Sequence, residues 1–277
     1  MATVYIKPGT GSGSGTLAAP YFYSELGTAE TQAGAGGTIL FTDGDYPITG
    51  TTVLDGVGSS GNNIIYKSLS LKGAVIKSSS AGTLRQITVG STGNTSNINV
   101  ENFKFIDCKI WVNTAGDGSI RGNEITTSTA ANILLFLNAT SSTGNSKFQN
   151  NLMIVTRSSG DYFERDTGNF AEFSGNTIYL ECGTGSFYFC YAQGNSFAFC
   201  TVSKNNILYA DDGSVIDTEN NSMALNMSNT CFYQWDSSRN TSGGTNNIFA
   251  DPLFIDVTNK DFRLRPSSPC INAGTAS

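Results

Sequence analysis

The sequence predicts an all-β chain wound into a coiled solenoid whose short strands stack in parallel. Three observations predict it. The first is a repeated phrase, a polar Asn followed by a short apolar run. It reads Asn102-Phe103-Lys104-Phe105, Asn123-Glu124-Ile125, Asn150-Asn151-Leu152, Asn176-Thr177-Ile178, Asn205-Asn206-Ile207 and Asn246-Asn247-Ile248, in steps of 21, 27, 26, 29 and 41 residues. A step of roughly 20–30 residues is the size of one repeat of a stacked solenoid. The second is composition: charged residues are 14 % and aromatics 11 % of the chain, and Gly, Ser, Thr and Asn are abundant. That balance suits β-branched and aromatic strands joined by small polar corners. The third is spacing. From Gly37 onward, strand-like runs are separated by only two to four polar residues, too closely for the hairpins of a sandwich.

The elements follow in order. Residues 3–7 (Thr-Val-Tyr-Ile-Lys) read as a short strand, and Pro8 to Thr16 as a Gly/Ser loop. Pro20 to Ala33 has helical character: Pro20 suits a first helical turn, and Phe22, Leu26 and Ala29 recur at spacings of four and three. An amphipathic helix there would cap the first open coil. Residues 1–36 are therefore read as an N-terminal strand, loop and capping helix, and 37–277 as one continuous solenoid of about nine coils. Thr38 to Thr42, Tyr46 to Ile48, Asn63 to Tyr66, Leu69 to Leu71 and Val75-Ile76 read as successive strands. In the regular middle, Val100, Phe103, Phe105, Ile125, Leu152, Ile154, Ile178, Leu180, Ile207 and Tyr209 are expected to point inward. The Asn before each run is expected to serve the fold. Its amide tolerates a left-handed corner and pairs with the equivalent Asn one coil away.

Bulk properties exclude several function classes. The net charge is −6, with a sequence pI near 4.6 and 16 scattered basic residues, which argues against a nucleic-acid surface. The most apolar stretch, Ile133 to Leu137, is far short of a membrane span of about 20 residues. No export signal precedes Thr3, so the chain is expected to fold in a cytoplasm. Cys108, Cys182, Cys190, Cys200, Cys231 and Cys270 contain no Cys-x-x-Cys pair, and the chain has no His. A structural zinc is thus unexpected, and the cysteines read as buried free thiols, with a disulfide as the alternative.

The two ends carry a family resemblance. The opening, Val4-Tyr5-Ile6 with Pro8, Gly15-Thr16, Ala19-Pro20, Gly37-Thr38-Ile39-Leu40 and Gly44-Asp45-Tyr46, resembles the start of right-handed parallel β-helix proteins of the pectate-lyase-like superfamily. The close, Asp251-Pro252-Leu253-Phe254, Asp261-Phe262-Arg263-Leu264 and Ser268-Pro269-Cys270-Ile271-Asn272-Ala273-Gly274, is similar to the final coil of that group. An acidic residue is commoner there in place of Asn272, and a small apolar one in place of Cys270. The resemblance frames the whole chain and implies a single-stranded right-handed parallel β-helix. It implies several activities, because the superfamily includes lyases, hydrolases, phage tailspikes and non-catalytic surface proteins.

Candidate chemistry is sparse. The absence of His removes Ser-His-Asp and Cys-His arrangements. Sugar hydrolysis needs two carboxyls across the bond, whereas lyase action on uronates in the superfamily uses an Arg or Lys base with neutralisation of the sugar carboxylate, often by calcium. The densest ionisable cluster is Arg157, Asp161, Glu164, Arg165 and Asp166, read as a loop between coils and as the catalytic set if the protein is an enzyme. Its alternative is a solvated loop of weak ion pairs. Asp211-Asp212 with Asp217 and Glu219 forms an acidic patch that suits calcium poorly, with one Gly and no alternating ligand pattern; no cofactor is otherwise expected. Tyr162, Tyr233 and Trp235 are the candidate glycan-stacking aromatics, with packing on the adjacent coil as the alternative for the last two.

The leading expectation is a non-catalytic structural or adhesive protein on a virion surface, a bacteriophage capsid decoration or tail component contacting host glycans. It rests on the missing export signal, on a chain that is nearly all fold, and on the lack of a dominant charged constellation. Expected partners are other virion proteins and surface polysaccharide, with a homotrimer implied by analogy. The alternative is an extracellular polysaccharide lyase or glycoside hydrolase acting as a depolymerase. A pure glycan-binding module is the third reading.

Overall fold

The structure, a computed structural model, describes the chain apart from residues 60, 82, 95–96, 115, 129–132, 138–145, 157–161, 167–169, 182–185, 191–199, 212–214, 219–226, 235–243 and 276–277. Each turn of the chain contributes one strand to each of three parallel sheets, of ten, eight and seven strands. The first full coil is Thr38–Phe41, Gly44–Ile48 and Thr52–Leu54; the last strands are Met227–Ser228 and Cys231–Tyr233. In the first sheet Tyr21–Phe22 is outermost and Thr3–Lys7 lies under Thr38–Phe41. The remaining order makes eight stacked layers at ~4.8 Å each, against the nine or so coils expected. The fold is a parallel β-helix, and its N-terminal strand is continuous with it.

The repeated Asn splits into two adjacent positions with different tasks. At the corner between the first and second sheets, Asn102, Gly122, Asn150, Gly175, Asn205, Asn229 and Asn246 take the left-handed conformation, with φ from 50° to 68°. Asn and Gly are the residues that enter this region at least cost. A Cβ on Gly122 would lie 2.6 Å from Asn102 Oδ1, so the Asn of one coil leans over the Gly of the next. The following residue turns inward and forms the ladder: Asn123 Nδ2 donates to Asn151 Oδ1 (3.1 Å), Asn151 Nδ2 to Asn176 Oδ1 (3.2 Å) and Asn176 Nδ2 to Asn206 Oδ1 (3.2 Å). Each of these four side chains is at most 2 % exposed. Expectation and structure agree on a ladder and differ by one residue in three coils, because the corner needs its own residue before the ladder.

The core is a column of layered side chains. Ile39, Tyr66, Val100, Ile120, Phe148 and Phe173 share one row in register, and Phe148 and Phe173 stack with centroids 5.5 Å apart. Val100, Phe103, Phe105, Ile125, Ile178 and Leu180 point inward as expected. Leu152, Ile154, Ile207 and Tyr209 do not. Met153, Val155, Leu208 and Ala210 fill the interior, while those four lie on the outer face of the second sheet. A strand's faces alternate with period two, so a one-residue slip exchanges them.

That outer face is apolar because the chain's end covers it. The antiparallel ribbon Phe254–Asp256 with Asp261–Leu264 packs Phe254 and Phe262 on Ile154, Tyr179 and Tyr209. Tyr179, Tyr209 and Tyr233 stack at 5.5 and 4.8 Å. Lys260 adds a cation over the Tyr179 ring, 4.4 Å from its centroid, and an ion pair to Glu181 at 2.7 Å. Phe254→Ala is expected to cost on the order of 3 kcal/mol by leaving a cavity between the ribbon and Tyr209. Equilibrium urea unfolding with limited proteolysis checks it: the ribbon becomes the first segment cut.

At the other end, Tyr21–Phe22 is a short strand, followed by a 3-10 turn, Tyr23–Glu25, and the helix Leu26–Ala33. The Glu25 carboxylate accepts from the Phe22 N–H at 3.0 Å, which satisfies a free donor at the entry to the helical segment. Ala29 and Ala33 are buried and Leu26 packs against the core, so a helix caps the column as expected, but it starts at Leu26 and not at Pro20, because Tyr21–Phe22 pairs with Thr3–Lys7 as a strand. Leu69 to Leu71 is not a strand. Leu69 and Leu71 are exposed in a turn that reaches a positive φ at Lys72.

Candidate functional site

From Glu101 onward, the outer face of the first sheet is built by the residue just before each left-handed corner and by the residue two places earlier. In register these make two rows. One runs Lys67, Glu101, Arg121, Gln149, Ser174 and Lys204; the other runs Ile65, Asn99, Ser119, Lys147, Glu172 and Val202. Four cations thus stand on this face with two carboxylates, in a protein whose net charge is −6.

Glu101 organises the face. Its side chain is 6 % exposed, and a buried carboxylate is costly unless paired and hydrogen-bonded. Arg121 donates to Glu101 Oε1 through Nε at 3.0 Å and Nη2 at 2.6 Å, and Lys67 Nζ lies 3.6 Å from Oε2. The guanidinium is thereby fixed in orientation while half-exposed. Lys147 is held loosely, 4.0 Å from Glu172. Between them opens a groove of about 480 Å³ lined by Asn63, Asn99, Asp117, Arg121, Lys147 and Gln149. Asn99 Oδ1 accepts from Asn63 Nδ2 (3.1 Å) and Ser119 Oγ (3.0 Å), so the polar floor is pre-organised. A fixed Arg fork beside a loose Lys is suited to carboxylate groups.

The second sheet's charges are instead used internally. Lys77 pairs with Asp45, and Lys72 (3.2 Å) and Lys104 (2.7 Å) pair with Glu124. Burial pushes the Glu124 carboxyl up, but these two ammonium groups more than offset it and hold it below its usual range.

The cluster predicted from sequence is placed differently. Tyr162–Asp166 is a strand of the third sheet, level with Ile133–Leu137, and not a loop: Glu164 is in register with Leu135, Arg165 with Phe136 and Asp166 with Leu137. Its backbone groups are taken up by the ladder, which a free loop would leave to water. Arg157 and Asp161 lie outside the described residues, as does Trp235. Tyr233 is half-buried and stacked on Tyr209, which is the packing alternative. Of the acidic patch, Asp211 accepts from the Tyr179 hydroxyl at 3.0 Å, Asp217 is in a strand, and Asp212 and Glu219 lie outside the described residues. Among the described residues no three His, Cys, Asp or Glu side chains converge as a cation site, and no helix is long and apolar enough to cross a membrane.

Sheet topology defines the class: a parallel β-helix. The pectate lyase Pel9A superposes over 100 % of this chain and 92 % of its own, with a TM-score of 0.52 and 14 % identity. A mannuronic acid specific polysaccharide family 6 lyase from human gut microbiota gives a TM-score of 0.41 at 10 % identity, over 90 % of this chain and 59 % of its own. A mutant of the PL6 family alginate lyase AlyGC gives 0.36 at 11 %, over 88 % and 40 %. No protein-family model matches the chain, and no curated protein matches it.

Proposed function

We propose that this protein engages an acidic polysaccharide along the outer face of its first sheet, with lyase-type depolymerisation as the first role to test. The observation that carries the reading is the groove of Arg121 and Lys147 over a fixed polar floor, the face where cations outnumber carboxylates. A glycan lying along the stack would meet a new rung every ~4.8 Å, a spacing comparable to one sugar ring. Elimination from a uronate requires its carboxylate charge to be offset, and Arg121, oriented by Glu101, is suited to that. The Pel9A structure, named as a pectate lyase, supports depolymerisation over purely structural duty.

The test is retention on immobilised polygalacturonate and alginate against a neutral glycan, followed by assay for unsaturated ends. Lys147→Ala, at a loosely paired side chain, should weaken binding about 3–10-fold, and Arg121→Ala with it about 30-fold or more. Both effects should shrink in high salt, since exposed charges are screened. Unsaturated ends establish a lyase. Retention without product returns the protein to the adhesive virion-surface role. Unchanged retention in both variants removes this face from consideration.

A further inference from the structure

The tail that follows the C-terminal ribbon is tied to the last coils by the corner asparagines. Asn205 Nδ2 donates to Thr275 O at 2.9 Å and its Oδ1 accepts from Thr275 N–H at 3.0 Å; Asn229 Nδ2 donates to Ala273 O at 3.1 Å. This brings Cys270, on the tail, against Cys231, at the start of the last strand of the second sheet. Both line a cavity of about 210 Å³ with Asn205, Asn206, Asn229 and Ala273. Cys231 Sγ donates to Ala250 O at 3.3 Å, and the Cys270 N–H donates to Ser268 Oγ at 3.1 Å. Cys231 is buried and Cys270 half-buried at the surface. We propose that Cys231 and Cys270 form a thiol–disulfide exchange site that takes a small-molecule disulfide of the glutathione type and closes to staple the tail onto the last coil.

The environment differentiates the two thiols. The neighbouring Cys231 and Ser268 groups hold the Cys270 thiol below its ordinary value, against the pull of burial. The neighbouring Cys270 sulfur and burial push Cys231 up. A half-exposed sulfur with more thiolate character, backed by a buried one, is the arrangement in which the first attacks and the second resolves. Cys108 gives the contrast: buried among core residues, it donates to Ile106 O at 3.3 Å, and its thiol is pushed up to about 12. In the exchange, the Cys270 thiolate attacks one sulfur of glutathione disulfide and expels a glutathione thiolate. Cys231 then loses its proton to solvent and attacks the Cys270 sulfur, forming the protein disulfide and releasing the second glutathione. Two protein thiols are oxidised and one glutathione disulfide is reduced to two thiols. The staple closes a loop of about 40 residues that contains the ribbon over Tyr179 and Tyr209, so it fixes that cover.

The test treats the full chain with glutathione disulfide, alkylates the remaining thiols and maps peptides by mass. A Cys231–Cys270 link is expected, with a melting temperature raised by roughly 5–10 °C, a gain reversed by reductant. Cys231→Ser should arrest the first step, leaving one glutathione on Cys270, and Cys270→Ser should give neither adduct nor thermal gain. Both cysteines recovered as alkylated thiols, or Cys231→Ser carrying no adduct on Cys270, would overturn the proposal.

Discussion

Asn176→Ala is expected to destabilise the protein by on the order of 3–5 kcal/mol, among the largest effects of any single polar substitution in the chain. Asn176 Oδ1 accepts from the Asn151 backbone N–H at 3.0 Å and from Asn151 Nδ2 at 3.2 Å. Its Nδ2 donates to Phe148 O at 3.0 Å and Asn206 Oδ1 at 3.2 Å. Alanine leaves the Asn151 N–H without a partner in a site that excludes water, at about 1–3 kcal/mol, and removes three further hydrogen bonds of about 0.5–1.5 kcal/mol each. Asn176→Asp should be comparably harmful, since a carboxylate cannot donate to either acceptor and adds a buried charge. Asn150→Gly, at the neighbouring left-handed corner, should change stability by less than about 1 kcal/mol, because glycine adopts that conformation without strain. Urea unfolding followed by circular dichroism measures all three. Equal effects at positions 150 and 176 would mean that the ladder adds nothing beyond the corner.

The same pair of positions explains what the sequence discloses and what it hides. The period was legible because each corner requires Asn or Gly and each ladder rung requires Asn, so the backbone writes its repeat in polar residues. The inward row was only half legible. Leu152-Met153-Ile154-Val155 is apolar on both faces, and nothing local tells which face meets the core and which awaits a ribbon arriving from a hundred residues later. A strand covered on both sides loses the alternation that periodicity arguments depend on.

The cationic face of the first sheet was missed for a related reason. Glu101, Arg121, Gln149, Ser174 and Lys204 are separated by at least 20 residues at each step and look scattered. Aligned on the corner, each is the residue immediately before it, and register stacks them into one row. The run from Arg157 to Asp166 stands out because it is dense in sequence, yet its final residues enter a strand. In a solenoid, proximity comes from equal offsets within repeats more than from adjacency along the chain.

The second large effect is a pH dependence seated in the capping helix. Glu30 faces the top of the column, where Tyr66 donates its hydroxyl to Oε1 at 2.6 Å and itself accepts from the Gly56 N–H at 2.8 Å. Burial raises the Glu30 carboxyl from 4.5 to about 7; the Tyr66 hydrogen bond opposes the rise and the charge of Asp55 adds to it. The folded protein therefore holds a proton that the unfolded chain has released anywhere between pH 4.5 and 7. Stability is greatest below that window and falls as pH rises through it. A tenfold difference in proton affinity between folded and unfolded chains corresponds to about 1.4 kcal/mol. Because part of the side chain stays wet, screening reduces the total to roughly 1–2 kcal/mol. Glu124 acts with the opposite sign: held low by Lys104 and Lys72, it contributes stability above its unfolded value of 4.5 that is lost as pH falls further. The two carboxyls thus work on either side of the same pH and predict a maximum in stability near pH 5. Glu30→Gln keeps an acceptor for Tyr66 and removes the charge, so its melting temperature at pH 8 should exceed that of the parent by a few degrees and match it near pH 5. Thermal melts across pH 4–8 decide the matter. A Glu30→Gln curve parallel to the parent's would show that the carboxyl at the cap titrates at its ordinary value.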